Sequence, residues 1–327
     1  MALTNMLSLI GNTPLVRLNR IGRDLEAEIA VKCEYLNPSG SIKDRIALRM
    51  IEDAEKAGIL RPGMEIVEGS TGNTATALAF VGAIKGYPVR LFVPVNAASE
   101  ERLRIMKAYG ATVVEVDVSL DISGTPNAKS SGALHGSVVE KTPRQRCLDL
   151  ERSSSNVWWA RQFSNPSNVA AHADGTGREI LEQTDGKVDA FVAAIGTCGT
   201  LIGVAQTLRA HDPGVRIIAV EPRDQPVIKD GKLTVKVTDE NINVAGGLLA
   251  EMVEKKVAQR IIQVGQAEAI EMAHRLCEEE GLFCGLSSGA NVVAALQVAR
   301  ELKPSQRVVT LLVDSRDRYL FKETLTT

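Results

Sequence analysis

The sequence predicts an α/β protein of two domains, each built on a parallel-rich twisted sheet flanked by helices, and three observations carry that prediction. Strand-length apolar runs alternate with amphipathic helical stretches along most of the chain, as parallel sheets with right-handed crossovers require. The early helical stretches stop at glycines (Gly58, Gly86 and Gly110), the residue that most readily ends a helix in the left-handed conformation. At 327 residues the chain is long for one hydrophobic core and comfortable for two.

Taken in order, residues 28–35 read as a strand and 41–57 as a helix. Residues 65–68 are again strand-like, 73–85 helical, 88–94 a strand, 99–109 a helix and 112–116 a strand. The stretch 117–156, rich in Ser, Gly, Lys and Arg, has no clear period until about Pro143. It is long for a loop inside a compact domain and reads as the region joining two domains, with a ligand cleft between them. The alternation then resumes: a helix at 168–183, a strand at 188–195, a helix at 201–210 and a strand at 215–221. Helices at 266–280 and 288–302 and a strand at 307–313 complete it. Such sheets hold their ligands at the carboxyl ends of the strands.

Composition narrows the function. The charge is balanced, with 38 basic and 40 acidic residues for a net −2, so no global field recruits nucleic acid or an anionic membrane. The longest apolar runs are strand-length and no secretory signal stands at the start, which makes a cytoplasmic protein the simplest expectation. Five cysteines (Cys33, Cys147, Cys198, Cys277, Cys284) and four histidines fall in no C-x-x-C or i, i+4 spacing. That argues against a disulfide framework and a metal site.

Four turns carry chemistry. In Asn37-Pro38-Ser39-Gly40-Ser41-Ile42-Lys43, Ser41 is placed to cap a helix and Lys43 falls in its first turn. There the helix dipole opposes the ammonium and favours a neutral amine if the site is dry, the form that Schiff-base chemistry needs. In Glu68-Gly69-Ser70-Thr71-Gly72-Asn73-Thr74, hydroxyls and helix-start amides make a nest for a carboxylate or phosphate. Gly196-Thr197-Cys198-Gly199-Thr200 follows the apolar strand 188–195 and opens a helix, a phosphate cradle by geometry but neither G-x-G-x-x-G nor a Walker loop. With Glu221 about twenty residues on, it also leaves a nicotinamide dehydrogenase open. Gly285-Leu286-Ser287-Ser288-Gly289, taken alone, reads as a helix cap.

Together and in this order, the four turns resemble the fold-type II pyridoxal-phosphate (PLP) enzymes of tryptophan synthase β-like fold. More narrowly they resemble the cysteine synthase (O-acetylserine sulfhydrylase) and cystathionine β-synthase group, and the likeness runs from Ile10-Gly11-Asn12-Thr13-Pro14 to Asp314-Ser315-Arg316-Asp317-Arg318-Tyr319. The resemblance implies PLP in the interdomain cleft, bound covalently to Lys43. Asn73 would bond the ring oxygen O3′, and Gly196, Thr197, Cys198, Gly199 and Thr200 would cradle the phosphate. Ser287 would face the ring nitrogen. Ser70, Thr71, Gly72, Thr74 and Gln162 would hold the substrate carboxylate. Residues 1–40 with 160–327 would form the larger, phosphate-binding domain, and 41–159 a smaller mobile domain with the carboxylate loop.

The implied reaction is β-replacement on an activated L-serine, O-acetylserine or O-phosphoserine, with sulfide, giving L-cysteine through an aminoacrylate. Within the fold, a cystathionine β-synthase-like enzyme, an amine-accepting diaminopropionate-type synthase and a serine/threonine dehydratase remain open. A homodimer is the implied assembly, and serine acetyltransferase is raised as a partner. The sequence departs from the family pattern in places. Cys198 stands where glycine is usual, a change that the cradle tolerates if φ there is negative. The family's Gly-Ile-Gly type segment appears only as Asn243-Val244-Ala245-Gly246-Gly247-Leu248, and the excursion at 117–146 is longer than simple cysteine synthases carry.

Overall fold

A computed structural model describes residues 5–117, 141–234 and 247–320. The chain enters through a 3-10 turn, Met6–Leu9, followed by β1 (Leu15–Arg17) and β2 (Glu28–Cys33). β2 stops two residues short of the expected strand. Glu34 turns its buried carboxylate to Thr13, Asn37 and Arg45, and a 3-10 turn, Glu34–Leu36, takes over. Then come α1 (Lys43–Lys56), β3 (Glu65–Gly69), α2 (Asn73–Lys85), β4 (Val89–Pro94), α3 (Glu100–Ala108) and β5 (Thr112–Val116). Gly58, Gly86 and Gly110 all have positive φ, as the helix-stop reading requires. The excursion expected at 117–156 holds a helix, α4 (Lys141–Ser153), and β6 (Val157–Trp159) follows it. Its residues 118–140, and residues 243–246 of the Asn243–Leu248 segment, lie outside the described residues.

The helix expected at 168–183 is two helices, α5 (Pro166–Ala171) and α6 (Arg178–Gln183), joined by a π-helical turn at His172–Gly177. Its cause lies in the facing helix, α7 (Gly199–His211). A Cβ on Gly203 would collide with the Val169 carbonyl, and Thr207 Oγ1 donates to the Ala173 carbonyl at 2.8 Å. Close approach and a substitute donor let the backbone widen there. β7 (Ala190–Ala194) precedes α7, and β8 (Arg216–Pro222), β9 (Ile228–Lys229) and β10 (Lys232–Leu233) follow it. The chain continues through α8 (Leu248–Glu254), β11 (Arg260–Val264), α9 (Gln266–Glu280), α10 (Leu286–Ala299) and β12 (Arg307–Leu312).

Two sheets organise these elements. One runs β1-β2-β12-β7-β8-β11, parallel except for β1 against β2, and the other runs β5-β4-β3-β6, parallel throughout. The six-stranded sheet is buried on both faces, which is why its strands read as unbroken apolar runs. Val192, Val220 and Val308 pack with α9 and α10 on one face, while Phe191, Ala219 and Val309 pack with α7 on the other. The four-stranded sheet is covered by α1 and α2 through Ile46, Met50 and Leu78, and on its far face by Cys147 and Leu148 of α4 against Val67 and Trp159.

A buried ionic cluster ties α1 to the six-stranded sheet and α6. Lys32 Nζ, wholly buried, donates to Glu179 at 2.7 Å and to the Thr13 carbonyl at 2.6 Å. Arg45 bridges Glu34 (2.7 and 2.8 Å) and Glu179 (2.6 and 2.7 Å) with paired bonds. Two cations and two carboxylates balance, the condition for burying charge at tolerable cost.

Candidate active site

The carboxyl ends of β3, β7 and β12 open on one cavity of about 270 Å³. The four turns singled out in the sequence all contribute to its lining: Lys43, the segment Ser70–Thr74, the loop residues Gly196, Thr197, Cys198 and Thr200, and Ser287. Gln162 lines it as well.

Lys43 is the first residue of α1, and its backbone N–H donates to Ser41 Oγ at 3.3 Å, so Ser41 caps the turn in which the lysine sits. The lysine amine has no hydrogen-bond or ion-pair partner among the described residues. Burial pulls its pKa down from the usual lysine value, against the opposing pull of the Asp314 carboxylate.

The nest at the start of α2 is held from below. Thr74 Oγ1 donates to Gln162 Oε1, and the Gln162 backbone N–H donates to Glu68 Oε2 at 3.1 Å. Glu68, wholly buried, also accepts from Trp159 Nε1 at 3.0 Å and from the Gly69 N–H at 2.9 Å. Burial raises its carboxyl's pKa, and those three donors counter it. Asn73, the first residue of α2, is pinned at both ends: Nδ2 donates to Asp314 Oδ2 at 2.7 Å, and Oδ1 accepts from Arg318.

The loop before α7 is braced in the same way. Asn168 Nδ2 donates to Thr197 Oγ1 at 2.9 Å and to the Gln162 carbonyl at 2.7 Å, joining the start of α2, by way of Gln162, to the loop before α7 through one amide. Thr200 Oγ1 lies 3.1 Å from His172 Nε2, and His172 Nδ1 lies 2.9 Å from Thr176 Oγ1. Burial lowers the His172 pKa well below its usual value and keeps the ring neutral. A Cβ on Gly199 would overlap Asn168 Oδ1, whereas the space beside Gly196 is open. Cys198 corrects an expectation. Its φ is +67°, not negative, because it occupies the left-handed turn that precedes α7, and a side chain there costs about 1–2 kcal/mol relative to glycine. Its thiol is buried, which pushes the pKa up to about 12.

Ser287 lies in the first turn of α10 and does not cap it. The cap is Gly285, with no side-chain bond, and Ser288 Oγ is the hydroxyl bonded to backbone, accepting from the Val313 N–H at 2.9 Å. The Ser287 hydroxyl has no partner among the described residues and faces the cavity. Glu221, the acid that a dinucleotide site would set on a ribose, is buried and accepts from the Val227 and Ile228 N–H groups and from Gln263.

Three cavity residues were given no role by the sequence, although Asp314 and Tyr319 lie in a segment that carries the family likeness. Asp314 follows β12 and accepts through Oδ2 from Asn73 and from the Tyr319 hydroxyl at 2.6 Å, while its Oδ1 is buried without a partner. Tyr319 is held beneath Arg102 of α3, whose guanidinium lies 4.8 Å from the ring centroid. Gly285 makes room for this group, since a Cβ there would collide with Asp314 Oδ1 and the tyrosine ring.

A two-sheet α/β protein with a buried, unpartnered lysine facing an anion cradle is the class that fold and site define. The family of pyridoxal-phosphate dependent enzymes matches residues 6–314, and the chain belongs to it; its cofactor is pyridoxal phosphate. The chain is 39% identical to the cysteine synthase of Staphylococcus aureus (strain Mu50) over 317 residues, 97% of this chain and 95% of that one. Among solved structures it resembles the cysteine synthase of Entamoeba histolytica (TM-score 0.84, 34% identity), covering all of this chain and 92% of that one. It also resembles a mutant O-ureido-L-serine synthase with bound O-ureido-L-serine (TM-score 0.84, 31% identity), covering all of this chain and 94% of that one.

Proposed function

We propose that this chain holds PLP through the Lys43 amine and replaces the β-substituent of an activated L-serine, O-acetylserine or O-phosphoserine, with sulfide to give L-cysteine. The observation that carries the proposal is the Lys43 amine, unpartnered in the wall of a cavity that also holds two anion nests and a free serine hydroxyl. The residues fit the cofactor. Open space beside Gly196 and the braced hydroxyls of Thr197 and Thr200 suit the phosphate, together with the amides of Cys198 and Gly199. The second Nδ2 proton of Asn73 remains for the ring oxygen, because the first is fixed on Asp314. Ser287 meets the ring nitrogen.

When bound, the cofactor supplies an electron sink for charge that develops at Cα. The chain does the rest. Ser70, Thr71, Gly72, Thr74 and Gln162 take the substrate carboxylate at the start of α2, where the dipole favours it. Lys43, disfavoured as an ammonium by burial, takes the α-proton and later returns it. A neutral serine at the ring nitrogen, in place of a carboxylate, leaves the ring a weaker sink, enough for elimination and addition at Cβ but poor for transamination. We assign residues 1–40 and 160–327 to the larger domain and 41–159 to the smaller, the protein working as a cytoplasmic homodimer.

Two measurements test this reading. Borohydride reduction of the holoenzyme, followed by peptide mass mapping, should place the cofactor's mass on Lys43. O-acetylserine or O-phosphoserine should shift the visible band, and sulfide should restore it with release of cysteine. Label on another residue, or a band indifferent to both esters, would overturn the assignment.

A further inference from the structure

Arg102 is a cation in the cavity wall to which the reaction as derived gives no task. Ser99 caps α3 by accepting from the Arg102 N–H, which fixes the first helical turn and presents Arg102 to the cavity. A cation in that turn opposes the helix dipole, a local cost. Glu100 and Glu101 share that turn, yet the guanidinium has no ion-pair partner among the described residues, and its Nε is buried without an acceptor. Its contact is the face of Tyr319, whose hydroxyl is committed to Asp314. One terminal nitrogen lies 3.9 Å from the point where a Cβ on Gly72 would stand, so the charge hangs over the turn that begins α2. Among the described lining residues Asp314 is the one carboxylate, and its Oδ2 accepts from the Asn73 amide and the Tyr319 hydroxyl. The cavity wall therefore carries, beside the amino-acid nest, a guanidinium that no carboxylate of the described residues pairs with.

We propose that Arg102 receives the leaving group of the substrate as it departs as an oxyanion, carboxylate or phosphate. The inference rests on the β-replacement reading above. In the elimination step the α-proton passes to the Lys43 amine, and the Cα–H electron pair becomes the Cα=Cβ bond. The Cβ–O bond breaks with its electron pair staying on oxygen. Negative charge thus appears on that oxygen as the bond breaks, and a fixed guanidinium favours the transition state over the ester. The contribution expected of one such donor is about a hundredfold in rate.

The test compares holoenzyme with Arg102→Gln and Arg102→Lys. Calorimetry should show wild type binding inorganic phosphate or acetate and Arg102→Gln losing at least about tenfold in that affinity, the drop expected from removing one charge-assisted bond. Affinity for L-alanine, which has the carboxylate but no leaving group, should be unchanged in both variants. The first half-reaction with O-acetylserine and O-phosphoserine should slow about a hundredfold in Arg102→Gln and recover in part in Arg102→Lys. The anion and ester that suffer more identify the natural leaving group. Unchanged anion binding and unchanged elimination in Arg102→Gln would overturn the inference. So would an equal loss of L-alanine affinity, since Arg102 would then serve the α-carboxylate or the fold. Failure of the β-replacement reading appears separately, as wild type that turns over neither ester; the anion arm still decides what Arg102 binds.

Discussion

Removing the charge of Glu179 tests the buried ionic cluster that ties α1 to the six-stranded sheet. Glu179 accepts from Arg45 twice, from Lys32 and from the Asn12 N–H at 3.0 Å. These donors outweigh burial and hold its carboxyl at about 2, against an ordinary 4.5. At about 1.4 kcal/mol per tenfold, this interaction contributes about 3 kcal/mol to stability at neutral pH. In Glu179→Gln the cluster keeps two cations and one carboxylate, and Lys32, whose pKa burial already lowers, becomes the uncompensated charge. The expected cost at pH 7 is about 3 kcal/mol, in line with breaking a buried pair from one side. The pH dependence separates this from simple loss of packing. Between pH 4.5 and 2 the unfolded chain binds the Glu179 proton and the native state does not, so wild type loses this stability as pH falls through that window. The glutamine variant has no proton to take up there. Urea unfolding of cofactor-free protein, followed by circular dichroism from pH 7 down to pH 2, should show the two curves converging as acid is added. A difference that stays constant across the window, or is absent at pH 7, would refute the electrostatic account.

Lys43→Ala should fold normally, because the amine it removes has no partner among the described residues, while borohydride trapping and turnover are abolished; a melting temperature several degrees below cofactor-free wild type would contradict that. At Cys198 glycine should be more stable than alanine by about 1 kcal/mol, the reverse of the helix-interior order, because φ is +67°; thermal unfolding of the two variants decides it. The native thiol, pushed up to about 12, should resist alkylation at pH 8 on the timescale of an exposed cysteine. Gly285→Ala should displace Asp314 and Tyr319 and weaken PLP retention, measured by cofactor absorbance after gel filtration; unchanged retention would mean that the Asp314–Asn73 bond does not support the site.

What the sequence made legible has a physical pattern. The bounds of α2, β5 and α9 were read to the residue, since Gly86 and Gly281 end the helices in left-handed turns and the apolar spacing is unbroken. β1 and β6 are three residues each, too short to display a period, and β11 is an edge strand with two exposed positions. The π turn at His172–Gly177 arises from Gly203 and Thr207 some thirty residues away, so a uniform helix was the only local reading. The site divides in the same way. Lys43, the Ser70–Thr74 nest and the Gly196–Thr200 loop are each a contiguous strand-to-helix turn, in which residue type and position state the chemistry together. Arg102, Asp314 and Tyr319 meet only after α3, β12 and the start of α10 have packed around one cavity. A resemblance built on local turns therefore reaches the family and its cofactor, pyridoxal phosphate. It gives no role to Arg102, Asp314 and Tyr319, because the tertiary fold brings those residues to the cavity. Substitution of Arg102, which makes no hydrogen bond to Asn73 or Lys43, should change which ester is accepted while leaving PLP in place.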